Sequence, residues 1–332
     1  MKFSRPNHFS FLCVLFFLTT TACDQTEKAA EEFQHTAVGS LDAVISDDAR
    51  FSIVSSVNHG VGYWDLKENK LLFNWSHSDN DQQGIIATGI SPDNKRAITA
   101  DNRNFSIWNT TSGKSYGYWR APARIRAIAI SNLGHYVLMG LEDGRAIHLD
   151  MTTGRRLEFT GHRAEAIASV DLSANGTWAF TGGNDYRAIL WNTKTGIPKR
   201  LFEHKTRVTL LKLNETGTLA FTAGTLGNAH IWDLSNGEKI TSLALKQREY
   251  IIVSASFSHD NKQLVTGAPG KDISLWSVES GERLNQWRAR TRNQWKPSGA
   301  IVYSVAFTLD NKNIYTESSA GYGERWINSK IN

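Results

Sequence analysis

The chain has 332 residues, enough to bury one large core or two modest ones. Its formal charge is +5, with 40% hydrophobic and 21% charged residues, the balance of a soluble globular protein. No long Lys/Arg block accompanies that mild excess, so charge alone gives no argument for nucleic acid.

The first elements are processing signals rather than fold. Lys2 and Arg5 form a positive region, "FSFLCVLFFL" (9–18) is a short apolar run, and "TTTAC" (19–23) places a small residue before Cys23. About 14 apolar residues fall short of the roughly 20 needed to span a bilayer. The pattern resembles the signal peptide of bacterial lipoproteins, although Thr20 stands where Leu is commonest. The resemblance implies a signal over 1–22, a lipid on Cys23 and a place in the bacterial cell envelope, facing the periplasm from the inner or the outer membrane. Asp24 resembles an inner-membrane retention signal of enteric bacteria. Ordinary secretory cleavage after Ala22, and a cytosolic start with a buried helix, are the competing readings. Once Cys13 leaves with the signal, one cysteine remains, which excludes an intrachain disulfide and a Cys metal site. Residues 23–32 then read as the lipidated Cys and the polar tether "DQTEKAAEE".

From residue 33 onward the chain repeats. "SPDNKRAITA" (91–100) returns as "SHDNKQLVTG" from 258 and "TLDNKNIYTE" from 308, with degenerate copies from 46, 131, 173 and 214. The seven copies are spaced by 45, 40, 42, 41, 44 and 50 residues. A second phrase travels in step: "YWDLKENK", "IWNTTSGK", "HLDMTTGR", "LWNTKTGI", "IWDLSNGE", "LWSVESGE" and a truncated "RWINSK". Each unit divides into four short runs of β-formers separated by Asn, Asp and Gly, the pattern of meandering antiparallel strands. In the fourth unit these are "AIASVDLS", "TWAFTGG", "YRAILWN" and "IPKRLFEH". No stretch has helical apolar spacing, so helix content near zero is expected. One four-stranded sheet cannot bury both faces, whereas seven packed face to face around an axis can.

This organisation resembles the WD-repeat β-propellers. The Trp-Asp dipeptide stands as Trp64-Asp65 and Trp232-Asp233, relaxed to Trp108-Asn109, Trp191-Asn192 and Trp276-Ser277, with Leu149-Asp150 in the third unit and Trp326-Ile327 in the last. Gly-His occurs once in position, as Gly161-His162. The resemblance implies an all-β, seven-bladed propeller over 33–332. It also implies a structural hydrogen-bonded set of His162, Thr181, Asp185 and Trp191, complete in the fourth unit alone. The last unit stops after its third strand, so "EFQHTAV" (32–38) is expected to supply the fourth and close the ring.

No catalytic residue, metal site or cofactor is expected. HExxH, phosphate-loop and Gly-x-Ser-x-Gly patterns are missing, and the ten His are scattered. The turns "TTGR" and "TSGK" resemble those of quinoprotein propellers, whose carboxylate–metal site is not visible. The reading that remains is a non-catalytic interaction platform, a monomeric propeller within a complex. Its partner is a protein or an anionic envelope component rather than nucleic acid, and its membrane contact is the lipid anchor. The alternative is an enzyme or small-ligand binder using the central channel. The loops between units count +7, and two of them dominate: 119–126, "WRAPARIR", at +3, and 288–299, "RARTRNQWKPSG", at +4. Arg120, Arg124, Arg126, Arg288, Arg290, Arg292, Trp295 and Lys296 are therefore the expected partner-binding residues.

Overall fold

The structure, a computed structural model, describes residue 1 and residues 27–56, 60–77, 84–246, 251–292 and 299–331. Seven four-stranded antiparallel sheets are arranged as blades around a channel. The innermost strands, blade one to blade seven, are Ser40–Ile45, Ala87–Ile90, Ile125–Ile130, Ile167–Leu172, Val208–Leu213, Ser254–Phe257 and Val302–Phe307. The helical content of the described residues is one 3-10 turn, Asn132–Gly134.

The repeated phrase is the turn between the first and second strands of every blade. The hydroxyl of Ser91 donates to Asp93 Oδ1 at 2.6 Å and accepts the Arg96 backbone N–H at 2.9 Å. Ser46 with Asp48, Ser258 with Asp260 and Thr308 with Asp310 build the same turn at the same 2.6 Å. The residue after the Asp takes positive φ: 58° at Asn94, 59° at Asn261 and 58° at Asn311. Asn tolerates that region because its short polar side chain can hydrogen-bond locally and so offset the Cβ–carbonyl crowding there. These turns also touch around the ring, as where Asn94 Nδ2 donates to Asp48 Oδ2 at 2.8 Å.

Blades cohere through apolar clusters, seven among the described residues, each straddling two neighbouring blades. Five interfaces share one motif. An aromatic near the end of one outer strand packs on the third-strand Trp of the next blade: Trp75 and Phe159 stack on Trp108 and Trp191 at 5.1 and 4.8 Å, while Phe202 and Trp287 meet Trp232 and Trp326 tilted, at 4.8 and 6.1 Å. His35 stacking on Trp64 at 4.4 Å is the fifth, across the ring closure. Offset aromatic pairs add roughly 0.5–1.5 kcal/mol beyond the area they bury.

The ring closes as the strand count requires. Glu31–Gln34 pairs antiparallel with Tyr322–Ile327 as the outermost strand of blade seven, with Phe33 opposite Gly323. Arg325 Nη2 donates to Glu31 Oε1 at 2.6 Å. The strand starts inside the stretch read as tether, and Glu27 already accepts the Trp287 indole N–H at 2.9 Å. Glu27 is thus docked on the sixth blade's outer strand, and the Ala30 N–H donates to the Arg325 carbonyl of blade seven at 2.7 Å.

Candidate interaction face and channel

The predicted structural set in blade four assembles as a chain of hydrogen bonds. Trp191 Nε1–H donates to Thr181 Oγ1 at 2.8 Å, the Thr181 hydroxyl meets His162 Nε2 at 2.8 Å, and His162 Nδ1 faces Asp185 Oδ1 at 2.9 Å. Burial works against an ionised Asp185, yet His162 and the N–H groups of Arg163 and Arg187 hold its carboxyl below the ordinary range. The side chains of His162 and Asp185 have no exposed surface. This is a strut between the blade and its loops, not an acid–base pair.

Blade two holds a partial counterpart, which lacks the His–Asp hydrogen bond that blade four makes. In blade two, Trp108 Nε1–H donates to Thr99 at 2.8 Å, His77 Nε2 meets Thr99 at 2.6 Å, and His77 Nδ1 lies 3.7 Å from Asp101. The sequence hid it in two ways. Thr99 stands nine residues before its Trp rather than ten, and Ser76 rather than Gly precedes His77. Blades five, six and seven keep the Trp–Thr bond alone, through Thr222, Thr266 and Thr316.

The loops between blades and those joining second to third strands lie at one end of the ring, and the predicted partner residues divide there. Arg120 ends the exposed outer strand Ser115–Arg120 and has no hydrogen bond or ion pair among the described residues. Arg292 is exposed, with one long bond from Nη2 to the Ser319 carbonyl at 3.4 Å. Arg124 pairs with Glu142 at 4.0 Å, and Arg288 with Asp272 at 3.3 Å. Arg290 is the most engaged. It pairs with Glu32, lies over the Tyr322 ring at 4.6 Å, and its backbone N–H donates to Glu324 at 3.0 Å. Loop charges counted in isolation missed these carboxylates, which come from neighbouring strands and from loops such as 142–145. Arg290 is a closure residue as much as a surface one. Trp295, Lys296 and Cys23 lie outside the described residues.

Arg126 goes elsewhere. The pairing of Ile125–Ile130 with its neighbour shifts between Ile125 and Ala127, which makes Arg126 the extra residue of a β-bulge. Bulges re-aim side chains, and this one turns Arg126 from the docking loop into the channel wall. The remaining arginines therefore form two separate patches on one end, in the loops after blades two and six, and not one.

Sequence reasoning missed the apolar component of that end. Leu226 is 70% exposed, Tyr186 49%, Ile251 48%, Leu41 38% and Ile86 36%. Tyr186 and Leu226 sit at φ of 69° and 61°, an uncommon and costly placement for large side chains. Exposed Arg103, Arg163, Lys205 and Arg207 interleave with them. The signal was available in the sequence as "NDYR" and "GTLGN", where a large side chain stands in a tight turn that favours Gly or Asn.

The channel encloses a cavity of about 370 Å³ lined by all seven innermost strands. Lys212 of blade five reaches across the bore to Asp47 of blade one at 3.7 Å while pairing with Asp171 at 3.4 Å. Burial opposes the charge, but the two carboxylates hold the Lys212 ammonium well above its ordinary range. Nearer the loop end, Asp42 accepts the Thr88 hydroxyl at 2.8 Å, and burial pushes its carboxyl up to about 7 despite that bond. Among the described residues no group of three or more His, Cys, Asp or Glu is placed to hold a metal ion, and no helix is long and apolar enough to cross a membrane.

Residues 154–192 match the family model WD40, "WD domain, G-beta repeat". That stretch contains His162, Thr181, Asp185 and Trp191, the set whose bonds are described above. The chain is also similar to autophagy-related protein 16 of Arabidopsis thaliana, 25% identical over 158 residues, which is 47% of this chain and 30% of that protein. The match thus covers less than a third of that relative. WD40 propellers are typical protein-interaction scaffolds.

Proposed function

We propose that this propeller is a non-catalytic docking platform of the bacterial cell envelope, held at the membrane by a lipid on Cys23 and facing the periplasm. Its partner is an acidic protein surface, engaged at the end formed by the inter-blade loops. The observation that supports this most is the coincidence, at one end, of sparsely bonded guanidinium groups with exposed Tyr and Leu side chains held at positive φ. Arg and aromatics anchor interfaces, and a basic field raises association rates. The similarity to autophagy-related protein 16 is in keeping with a scaffold role and adds no partner.

The test is cross-linking in cells followed by purification, with Arg120→Glu combined with Arg292→Glu. Both residues are exposed and sparsely bonded, so the melting temperature should stay within about 2 °C of wild type, as for surface changes generally. The main cross-linked complex should be lost, and for the wild type it should weaken between low and physiological salt, where exposed charges are screened beyond about 8 Å. A double variant that keeps the full complex overturns the docking face. Separately, Cys23→Ser should release the protein from membranes washed with carbonate, since stable anchoring depends on acyl chains. Equal retention overturns the anchor.

A further inference from the structure

Five blades carry the register shift that throws Arg126 inward. The same shift falls between Ser40 and Asp42, Ile167 and Ser169, Val208 and Leu210, and Val302 and Ser304. Of the five extra residues, Arg126, Ala168, Thr209 and Tyr303 line the channel, whereas the fifth, Leu41, is exposed at the loop end. The wall they make is divided by chemistry. Going around the ring from blade seven to blade three, it presents Tyr303, Asp42, Thr88 and Arg126: a phenol, a carboxyl, a hydroxyl and a guanidinium on consecutive blades. Across blades four to six it presents Ala168, Thr209, Leu210, Val253 and Ala255, with one hydroxyl among apolar side chains. Below, the Lys212–Asp47 pair crosses the bore and floors the cup.

Two groups in the polar arc have unused capacity. Arg126 has no hydrogen bond, ion pair or ring contact among the described residues. Asp42 accepts the Thr88 hydroxyl and the backbone N–H groups of Ala43 and Thr88, but no cation pairs with it among the described residues. They stand two blades apart on the same wall, with Thr88 between them, and among the described residues no ion pair joins them. A cation and a carboxyl that face one cavity without meeting each other leave room for a molecule carrying both opposite charges. The facing arc has no charge and suits an apolar substituent, the composition of small-molecule sites in general.

We propose that the loop-end half of the channel binds a small zwitterion with an apolar side chain, an α-amino acid, with its carboxylate on Arg126 and its ammonium on Asp42. The side chain lies against Leu210 and Val253, and Tyr303 and Thr88 border the charged end. The site is independent of the docking face, because none of the arginines tested there contributes to it.

Titration calorimetry on the intact propeller tests this with L-leucine as the probe. The comparison compounds are 4-methylpentanoate, which keeps only the carboxylate, and 3-methylbutylamine, which keeps only the ammonium. L-leucine should bind and raise the melting temperature. Each half-analogue, and each of Arg126→Ala and Asp42→Asn, should bind at least about tenfold more weakly, the size of one lost charge-assisted contact. Arg126 is exposed, so Arg126→Ala is decisive by itself should Asp42→Asn not fold. No heat from L-leucine at millimolar concentration overturns the proposal. So does L-leucine binding that Arg126→Ala leaves unchanged.

Discussion

Glu324 is 1% exposed in the last strand, and its carboxyl accepts the Arg290 backbone N–H. Burial pushes that carboxyl up to about 8, with the Arg290 N–H pulling against it and Glu32 and Glu317 adding to the rise. Its pKa is therefore higher folded than unfolded, so ionisation penalises the fold progressively from about pH 4.5 and fully above 8. His35 acts in the same direction. Burial opposes its charge, but Glu317 at 2.9 Å outweighs it, so the stability it adds is lost as pH rises. His148 and His204 act oppositely. Burial pushes both down to about 4, so their contribution is complete above 6.5 and lost as pH falls toward 4. Below pH 6.5 the two His limbs oppose the carboxyl limbs of Glu324 and Asp42, whereas above it Glu324 and His35 act against the fold unopposed, so thermal stability should fall from about pH 6.5 toward 8. Glu324→Gln keeps an acceptor for Arg290 and removes the alkaline penalty. Melting curves from pH 4 to 9 should show the variant several degrees more stable than wild type at the alkaline end and little different in acid. Identical alkaline limbs would contradict the assignment.

At the scale of elements, the blades were legible because the same turn and the same Trp recur with nearly constant spacing. The turn needs a hydroxyl, an Asp and a residue tolerant of positive φ, and four blades meet that in full while the other three keep a degenerate form. Closure was legible by subtraction, since a blade short of one strand and a leading strand without a blade have one solution. Two features were not legible. A bulge is invisible to alternation, because one inserted residue leaves the apolar pattern on either side intact; Arg126 is the case that matters. The partial hydrogen-bonded set of blade two was hidden by a hairpin one residue shorter. The closing strand supports a direct prediction. Removing residues 31–38 deletes the pairing with Tyr322–Ile327, the Glu31–Arg325 bond and the His35–Trp64 stack. It also strips Glu317 of its buried histidine. The melting temperature should fall by several degrees or more, as expected for a loss of a few kcal/mol in a domain of this size. An unchanged melting curve would mean that the ring is held elsewhere.

At the scale of the molecule, the two ends of the ring differ in kind. The end carrying the repeated Ser-x-Asp-Asn turns bonds many of its polar groups within and between those turns, as where the backbone N–H of Leu133 donates to Asp93 at 3.0 Å. The other end presents sparsely bonded arginines and large apolar side chains in tight turns. Charge counting along the sequence overcounted the charge of that end, because it could not see Glu142, Asp272 and Glu32 arriving from other elements. The docking reading rests on that asymmetry. Leu226 and Leu309 offer a matched comparison, being 70% and 69% exposed on opposite ends. The decisive measurement places a photo-reactive amino acid at one or the other position and maps adducts in cells. The account predicts adducts to a single acidic partner from position 226 and none to it from position 309. Adducts to that partner from 309 alone would contradict it.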